Sequence, residues 1–259
     1  MCRWLNIPRS SYYYQAVDPV SEADLEDKIT YIFLESKSRY GARKIKKCLE
    51  KDGIILSRRR IRRIMKRLNL VSVYQKAAFK PHSRGKNEAP IPNRLDRQFD
   101  QKRPLEALVT DLTYVRVDRR WAYVCLIIDL FNREIIGLSI GWHNTAELVK
   151  QAIQSIPYAL TKAKLFHSDR GKEFDNQLID EMLEAFGITR SLSQAGCPYD
   201  NAVAESTYRS LKLEFINQET FQSLEELALK TKDYVHWWNY HRIHGSLNYQ
   251  TPMTKRIIA

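Results

Sequence analysis

The chain has 259 residues, of which 44% are hydrophobic and 11% aromatic, with a formal net charge of +12. That leaves room for one or two domains with ordinary cores and excludes a disordered basic tail as the whole protein. The longest unbroken apolar run, residues 121–128, is eight residues against the ~20 a bilayer span needs, so the chain reads as intracellular and soluble. Cys2, Cys48, Cys125 and Cys197 lie far apart without a C-x-x-C pair, which argues against a zinc knuckle or a disulfide framework and for free thiols.

The positive charge sits in one part. Residues 1–104 carry 25 Lys/Arg against 11 Asp/Glu, whereas residues 105–259 carry 17 against 19. A basic segment gathers polyanions by releasing their counterions, and nucleic acid is the commonest such partner in a cell; a merely solubilising face is the plain alternative.

In chain order, residues 1–20 form an N-terminal segment. Residues 21–35 have Leu25, Ile29, Ile32 and Phe33 at helical spacing behind a Ser21 cap. A short helix over 41–51 follows, Asp52-Gly53 breaks it, and Ser57 caps a third helix over 58–68. Two helices across a short turn, within a domain spanning 21–75, suggest helix-turn-helix. In that motif the second helix enters the major groove, which sets Arg58, Arg59, Arg60, Arg62 and Arg63 as candidate DNA contacts. Residues 76–103 are rich in Pro and basic residues without a period, the pattern of a linker or basic arm.

From residue 104 the pattern changes. Three β-branched or aromatic runs, 108–117, 121–130 and 133–140, read as an antiparallel meander. A helix over 145–160, a strand over 163–167, a helix over 176–186, a strand over 188–192 and a long helical stretch from about residue 201 complete the order β-β-β-α-β-α-β-α. This implies a mixed five-stranded α/β sheet flanked by helices, with a catalytic site at strand ends. Three acids come from separate segments: Asp111 interrupts the first strand, Asp169 follows the fourth, and Glu205 opens the late helix. Thirty-five residues separate Asp169 from Glu205, and Lys212 lies seven residues beyond Glu205, two helical turns on and on the same face.

The Asp, Asp, 35 residues, Glu spacing with a basic residue at +7 resembles the catalytic domain of retroviral integrases and transposases. The words VTDLTYV, LIIDLFNREIIG, FHSDRG, PYDNAVAESTYRSLK and WNYHRIHGSLNYQTP are similar to those of OrfB-type transposases of the insertion-sequence-3 family, and YGARKIKKCLEKDGIILSRRRIRRIMKRLNL resembles their helix-turn-helix segment. The resemblance implies a ribonuclease H-like fold over 104–259. It implies an Asp111, Asp169, Glu205 triad holding two Mg²⁺ ions, with Mn²⁺ as a substitute, and a DNA transposase that cleaves element ends and transfers strands. It also implies transposon-end and target double-stranded DNA as partners, a homo-oligomer on DNA, an upstream OrfA product or frameshift fusion, no membrane, and a bacterial cytoplasmic, nucleoid-associated location.

Several residues keep two readings. Tyr199, Asp200 and Asn201 cap the catalytic helix, contact a DNA end, or do both. His167 is a packed strand-end histidine or a proton shuttle, while His241 and His244 end a helix or touch DNA. Asp129 reads as structural. Glu173, where the family pattern differs, either tunes the metal site or pairs with Lys172. Ile243 stands where the family has proline, and residues 105–108 lack its usual tryptophan. The rival functions are a non-catalytic DNA-binding regulator and a metal nuclease of the same fold acting on RNA or hybrid duplexes.

Overall fold

The computed structural model describes residues 21–75 and 91–258, with Trp4 and Pro8; the N-terminal segment and residues 76–90 of the expected linker otherwise lie outside the described residues. The chain divides into two compact units, residues 1–72 and 73–259.

The first unit is three helices: α1 (Glu22–Glu35), α2 (Ala42–Lys51) and α3 (Arg58–Arg67). Two of the starts are capped by a side chain: the Ser21 hydroxyl accepts from the Asp24 amide (3.0 Å), and the Ser57 hydroxyl from the Arg60 amide (3.2 Å). Gly53, at φ +77°, supplies the left-handed residue that turns the chain after α2. Leu25, Ile29 and Phe33 of α1, Ile45 and Leu49 of α2, and Ile61, Ile64 and Met65 of α3 are buried, so one stripe of each helix makes the core.

The second unit is a five-stranded sheet in the order β3-β2-β1-β4-β5, made of β1 (Ala107–Val117), β2 (Arg120–Asp129), β3 (Ile135–Gly141), β4 (Leu165–Ser168) and β5 (Thr189–Leu192). β1, β2 and β3 form the antiparallel meander, while β1 with β4 and β4 with β5 are parallel. The parallel pairs need crossover helices, supplied by α4 (Ala146–Gln154) and α5 (Gln177–Ala185). With Leu108, Cys125 and Ile127 these two helices bury one face of the sheet. The other face is covered by α6 (Ala202–Glu214) and α7 (Leu224–Tyr240), whose Tyr208, Leu211, Tyr234 and Trp238 pack on Val109, Val124 and Leu126. A last helix, α8 (Pro252–Ile257), closes the described chain.

Three expectations are corrected. The helix over 145–160 ends at Gln154, because Pro157 disfavours helical backbone before it and has no amide to donate. The late helical stretch is two helices: Phe215 ends α6, Phe221 turns into the core, and the Ser223 hydroxyl caps α7 by accepting from the Glu226 amide (3.1 Å). Residues 91–103 are not a free tether. Leu95 is buried, the amides of Arg94 and Leu95 donate to Ser191 Oγ (2.8 and 3.2 Å), and Arg170 donates to the Ile91 carbonyl (3.0 Å). At the start of the unit, Tyr74 donates its hydroxyl to Glu214.

Candidate catalytic site

The parallel β1–β4 pairing sets Val109 opposite His167. Asp111 and Asp169 each lie two residues further on, so both carboxylates stand at the same level, where β4 ends and the chain turns. Backbone amides fix them: Leu112 N–H donates to Asp111 Oδ1 (2.8 Å), and Gly171 N–H to Asp169 Oδ1 (2.9 Å).

Helix α6 runs along β1 at this point. Its first side chain, Asn201, donates Nδ2–H to the Thr110 carbonyl (3.0 Å). Two turns on, the Tyr208 hydroxyl donates to the Asp111 carbonyl and accepts from the Leu126 amide (2.6 Å). Asp111 and Leu126 are register partners across β1 and β2, so this hydroxyl bridges the two backbones at the carboxylate. Burial pushes the Tyr208 hydroxyl well above its ordinary value, and the charges of Asp111 and Asp169 add to the effect. It therefore stays a proton donor.

Glu205 is on the exposed flank of α6, one turn before Tyr208, and Lys212 follows on the same flank with its ammonium 5.3 Å from the Tyr114 ring centre. Among the described residues no three His, Cys, Asp or Glu side chains stand close enough together to hold a metal ion. The strands bring Asp111 and Asp169 level with each other, and Glu205 stands on α6, the helix bonded to β1 at Thr110 and Asp111.

A fourth carboxylate is close. A β-carbon on Gly171 would fall 2.5 Å from Glu173 Oε1, so Glu173 folds back over the peptide that binds Asp169. Among the described residues it makes no ion pair with Lys172. Burial pushes the Cys125 thiol up to about 12, with Asp111 and Glu173 adding to the rise, which puts Glu173 within electrostatic reach of the same strand end and makes Cys125 inert.

The surrounding polar residues separate clearly. His167 is fully buried, with Nδ1 2.8 Å from Ser191 Oγ and Nε2 3.1 Å from Ser193 Oγ. Ser191 already accepts from two amides and has only its own proton to offer, whereas Ser193 donates to the Ser168 carbonyl (3.3 Å) and can accept. The set closes with a neutral imidazole protonated at Nε2, and burial pulls its pKa down to about 4. His167 is thus the packed strand-end residue, with its nitrogens bonded to Ser191 of β5 and to Ser193 just beyond it. Asp129 is likewise structural: it accepts from the amides of Leu105 (2.9 Å) and Phe131 (3.0 Å) and pairs with Arg256 (2.7 Å). His241 ends α7, and the buried His244 meets Arg242 at 3.2 Å.

In the loop before α6, Tyr199 is exposed, while Asp200 is buried against Arg97 (2.8 Å) and the Gln194 amide (2.9 Å). Asn201 corrects the expectation for it. It makes no side-chain cap, and at 4% exposure it donates to β1 while its Oδ1 is buried without a hydrogen-bond partner.

Integrase core domain models match residues 101–198 and 186–252, and an HTH-like domain model matches residues 20–78. The chain is similar to the InsK transposase for insertion sequence element IS150 of Escherichia coli K12, at 30% identity over 99% of this chain and 92% of that one. The chain belongs to the IS3 family of insertion-sequence transposases. The IS904 transposase of Lactococcus lactis is also 30% identical, over 88% of this chain and 91% of its own length. Among solved structures, a chain of the simian T-cell lymphotropic virus intasome in complex with a PP2A regulatory subunit superposes with a TM-score of 0.52 at 13% identity, covering 86% of this chain and 73% of that one. That likeness concerns the fold, a ribonuclease H-like sheet.

In this transposase the five candidate arginines of α3 divide into two sets. Arg58, Arg59, Arg62 and Arg63 are exposed on one flank, with no carboxylate partner among the described residues. Arg60 points the other way, to Glu22 of α1 (2.6 Å), where Arg67 also pairs (3.1 Å). These bonds hold the Glu22 carboxyl below its usual range, and Arg60 ties α3 to α1. Tyr208 is the residue that reading the transposase's sequence missed. Its one signal was position: three residues after Glu205, on the apolar stripe of the same helix, where a tyrosine reads as ordinary core.

Proposed function

We propose that this transposase cleaves phosphodiesters at the ends of its insertion sequence and joins the freed ends to target DNA, using Asp111, Asp169 and Glu205 as ligands for two divalent cations. The observation that carries the reading is the level pair of Asp111, inside β1, and Asp169, just past the end of its parallel neighbour β4, with α6 bonded to β1 at Thr110 and Asp111. The donor set fits Mg²⁺, a hard ion that takes carboxylate oxygens and substrate phosphate oxygens, and Mn²⁺ by the same chemistry. Bound there, two such ions would activate an attacking oxygen and stabilise the leaving one. Three carboxylates converging on one volume repel each other unless cations neutralise them. In this reading Glu205 would complete the ligand set, with the ions offsetting the repulsion.

The residues of the chain then have separable work. The Leu112 and Gly171 amides aim the Asp111 and Asp169 carboxylates, Tyr208 fixes the backbone under Asp111, and Lys212 meets the DNA backbone two turns from Glu205. In the first step a water oxygen bonds to phosphorus as the bond to the 3′-oxygen breaks, leaving a 3′-hydroxyl and a 5′-phosphate. In the second, that hydroxyl bonds to phosphorus in the target and another 3′-oxygen leaves with a proton. The number of phosphodiesters is unchanged in the second step, so no nucleotide triphosphate is consumed.

Helix α3 supports recognition of double-stranded DNA through Arg58, Arg59, Arg62 and Arg63. Two ends joined in one event imply a homo-oligomer on DNA. An upstream reading-frame product, separate or fused, and a bacterial cytoplasmic, nucleoid-associated setting complete the proposal. Among the described residues no helix is long and apolar enough to cross a membrane.

Glu205→Gln tests the reading. The change keeps shape and removes the charge that holds a cation, so end-DNA affinity stays within about twofold while cleavage falls by at least ~10³-fold. Cleavage by the variant at the wild-type rate, in a gel assay with Mg²⁺, would remove Glu205 from the site.

A further inference from the structure

The β1–β2 hairpin carries a surface that the carboxylate site leaves unused. Tyr114 and Trp121 are 50% and 48% exposed and meet edge to face with ring centres 5.1 Å apart. Register sets Tyr114 opposite Tyr123 and Arg116 opposite Trp121, so Tyr114 and Trp121 are diagonal neighbours on one face of a two-stranded ribbon. Cations flank both rings: the Arg116 guanidinium is 5.4 Å from the Trp121 ring centre, and the Lys212 ammonium is 5.3 Å from that of Tyr114. Arg116 is held in place by its Nε–H bond to the Asp118 carbonyl (2.8 Å). Arg119 and Arg120 are exposed at the turn, and Asp118 is the single carboxylate among residues 114–121.

Neither a core nor an ordinary solvated face accounts for this combination. Core aromatics are covered, and a solvated strand end needs no indole. Half-open rings between fixed cations are the elements of a stacking platform for nucleic acid, in which bases cover the rings and phosphates meet the cations.

We propose that this hairpin face binds an unpaired DNA strand, with bases stacked on Tyr114 and Trp121 and phosphates held by Arg116, Arg119 and Lys212. A duplex hides its base faces within its own stack, so exposed rings select a strand without its complement. Lys212 belongs to α6, two turns from Glu205, and links the platform to the helix that carries the proposed third carboxylate. The inference rests on the transposase reading. A reaction that cuts and rejoins one strand at a time leaves its complement locally unpaired.

The test is fluorescence anisotropy of the full chain, in chelator and at fixed salt, with a labelled oligothymidylate and a labelled duplex of equal length. Trp121→Ala and Tyr114→Ala should each weaken oligothymidylate binding about tenfold, with duplex affinity unchanged and Trp121→Phe close to wild type. Both side chains are half exposed, and circular-dichroism melts confirm that each variant is folded. Unchanged strand affinity in both alanine variants, an equal loss for duplex and strand, or a change in sedimenting mass instead of strand affinity would overturn the proposal. Because no divalent ion and no cutting are involved, failure of the carboxylate site and failure of this platform are read separately.

Discussion

Tyr208 makes the most specific statement about a single residue. Its hydroxyl, 2.6 Å from the Leu126 amide and bonded to the Asp111 carbonyl, ties the catalytic helix to the strand under a proposed ligand. Tyr208→Phe keeps the packing and leaves two buried backbone groups without that partner, at about 1–3 kcal/mol of stability. Cleavage should slow about tenfold or more in kcat with little change in DNA affinity, measured by single-turnover kinetics. An unaltered kcat would make the bond purely structural. Asp200 gives a pH prediction. Burial works to raise its pKa, but the Gln194 amide and Arg97 outweigh burial and hold the carboxyl below its ordinary value. The stability it contributes is therefore complete above an ordinary carboxylate pKa of about 3.9 and is lost as pH falls through the folded value. Asp200→Asn should lower the urea midpoint at pH 7 and flatten the decline on the acid side; an acid limb parallel to wild type contradicts this.

For the elements, α3 is the clearest case. Arg58, Arg59, Arg62 and Arg63 share its exposed flank, while Arg60 and Arg67 pair with α1. Alanine at the four exposed positions should reduce the slope of log affinity against log salt by roughly 0.9 for each phosphate no longer neutralised, whereas Arg60→Ala should leave the slope alone. Equal slopes for wild type and the fourfold variant would take α3 off the DNA. The same helix shows why some features were legible in the sequence. Its start is a local event, a serine hydroxyl on an amide three residues on, and its core face is a strict period. The three strands of the meander were equally legible as runs of β-branched and aromatic residues, and β4 and β5 as short segments alternating with helices. What stayed hidden depends on distant partners: Arg60 reads as one more DNA-facing arginine until Glu22 is brought beside it. Asn201 reads as a cap until β1 offers the Thr110 carbonyl. The break between α6 and α7 was written locally, as Ser223 three residues before Glu226, but apolar residues on either side masked it.

At the scale of the molecule, the chain has two units, with basic helices in one and the Asp111 and Asp169 pair in the other, and the proposed function gives DNA recognition to the first and cutting and joining to the second. In the catalytic unit, Glu214 at the end of α6 is fully enclosed and receives Arg242 (2.8 Å), Tyr234 (2.8 Å) and Tyr74. Breaking such a buried ionic group typically costs about 3–5 kcal/mol, so the far end of the catalytic helix is anchored as firmly as its start. For the triad itself, the spacing of Asp111, Asp169 and Glu205 was legible as a pattern. The convergence proposed for them would depend on sheet register, helix docking and bound cations together, which no spacing contains. The measurement that tests this most directly is strand transfer from labelled end DNA into a target. It compares wild type with Asp111→Asn, Asp169→Asn and Glu205→Gln, with Mg²⁺ or chelator, and with a 3′-hydroxyl or 3′-deoxy end. Joined product from wild type alone, and only with both Mg²⁺ and the 3′-hydroxyl, is the predicted result. Joining by any of the three amide variants at the wild-type rate, or by wild type in chelator, would contradict it.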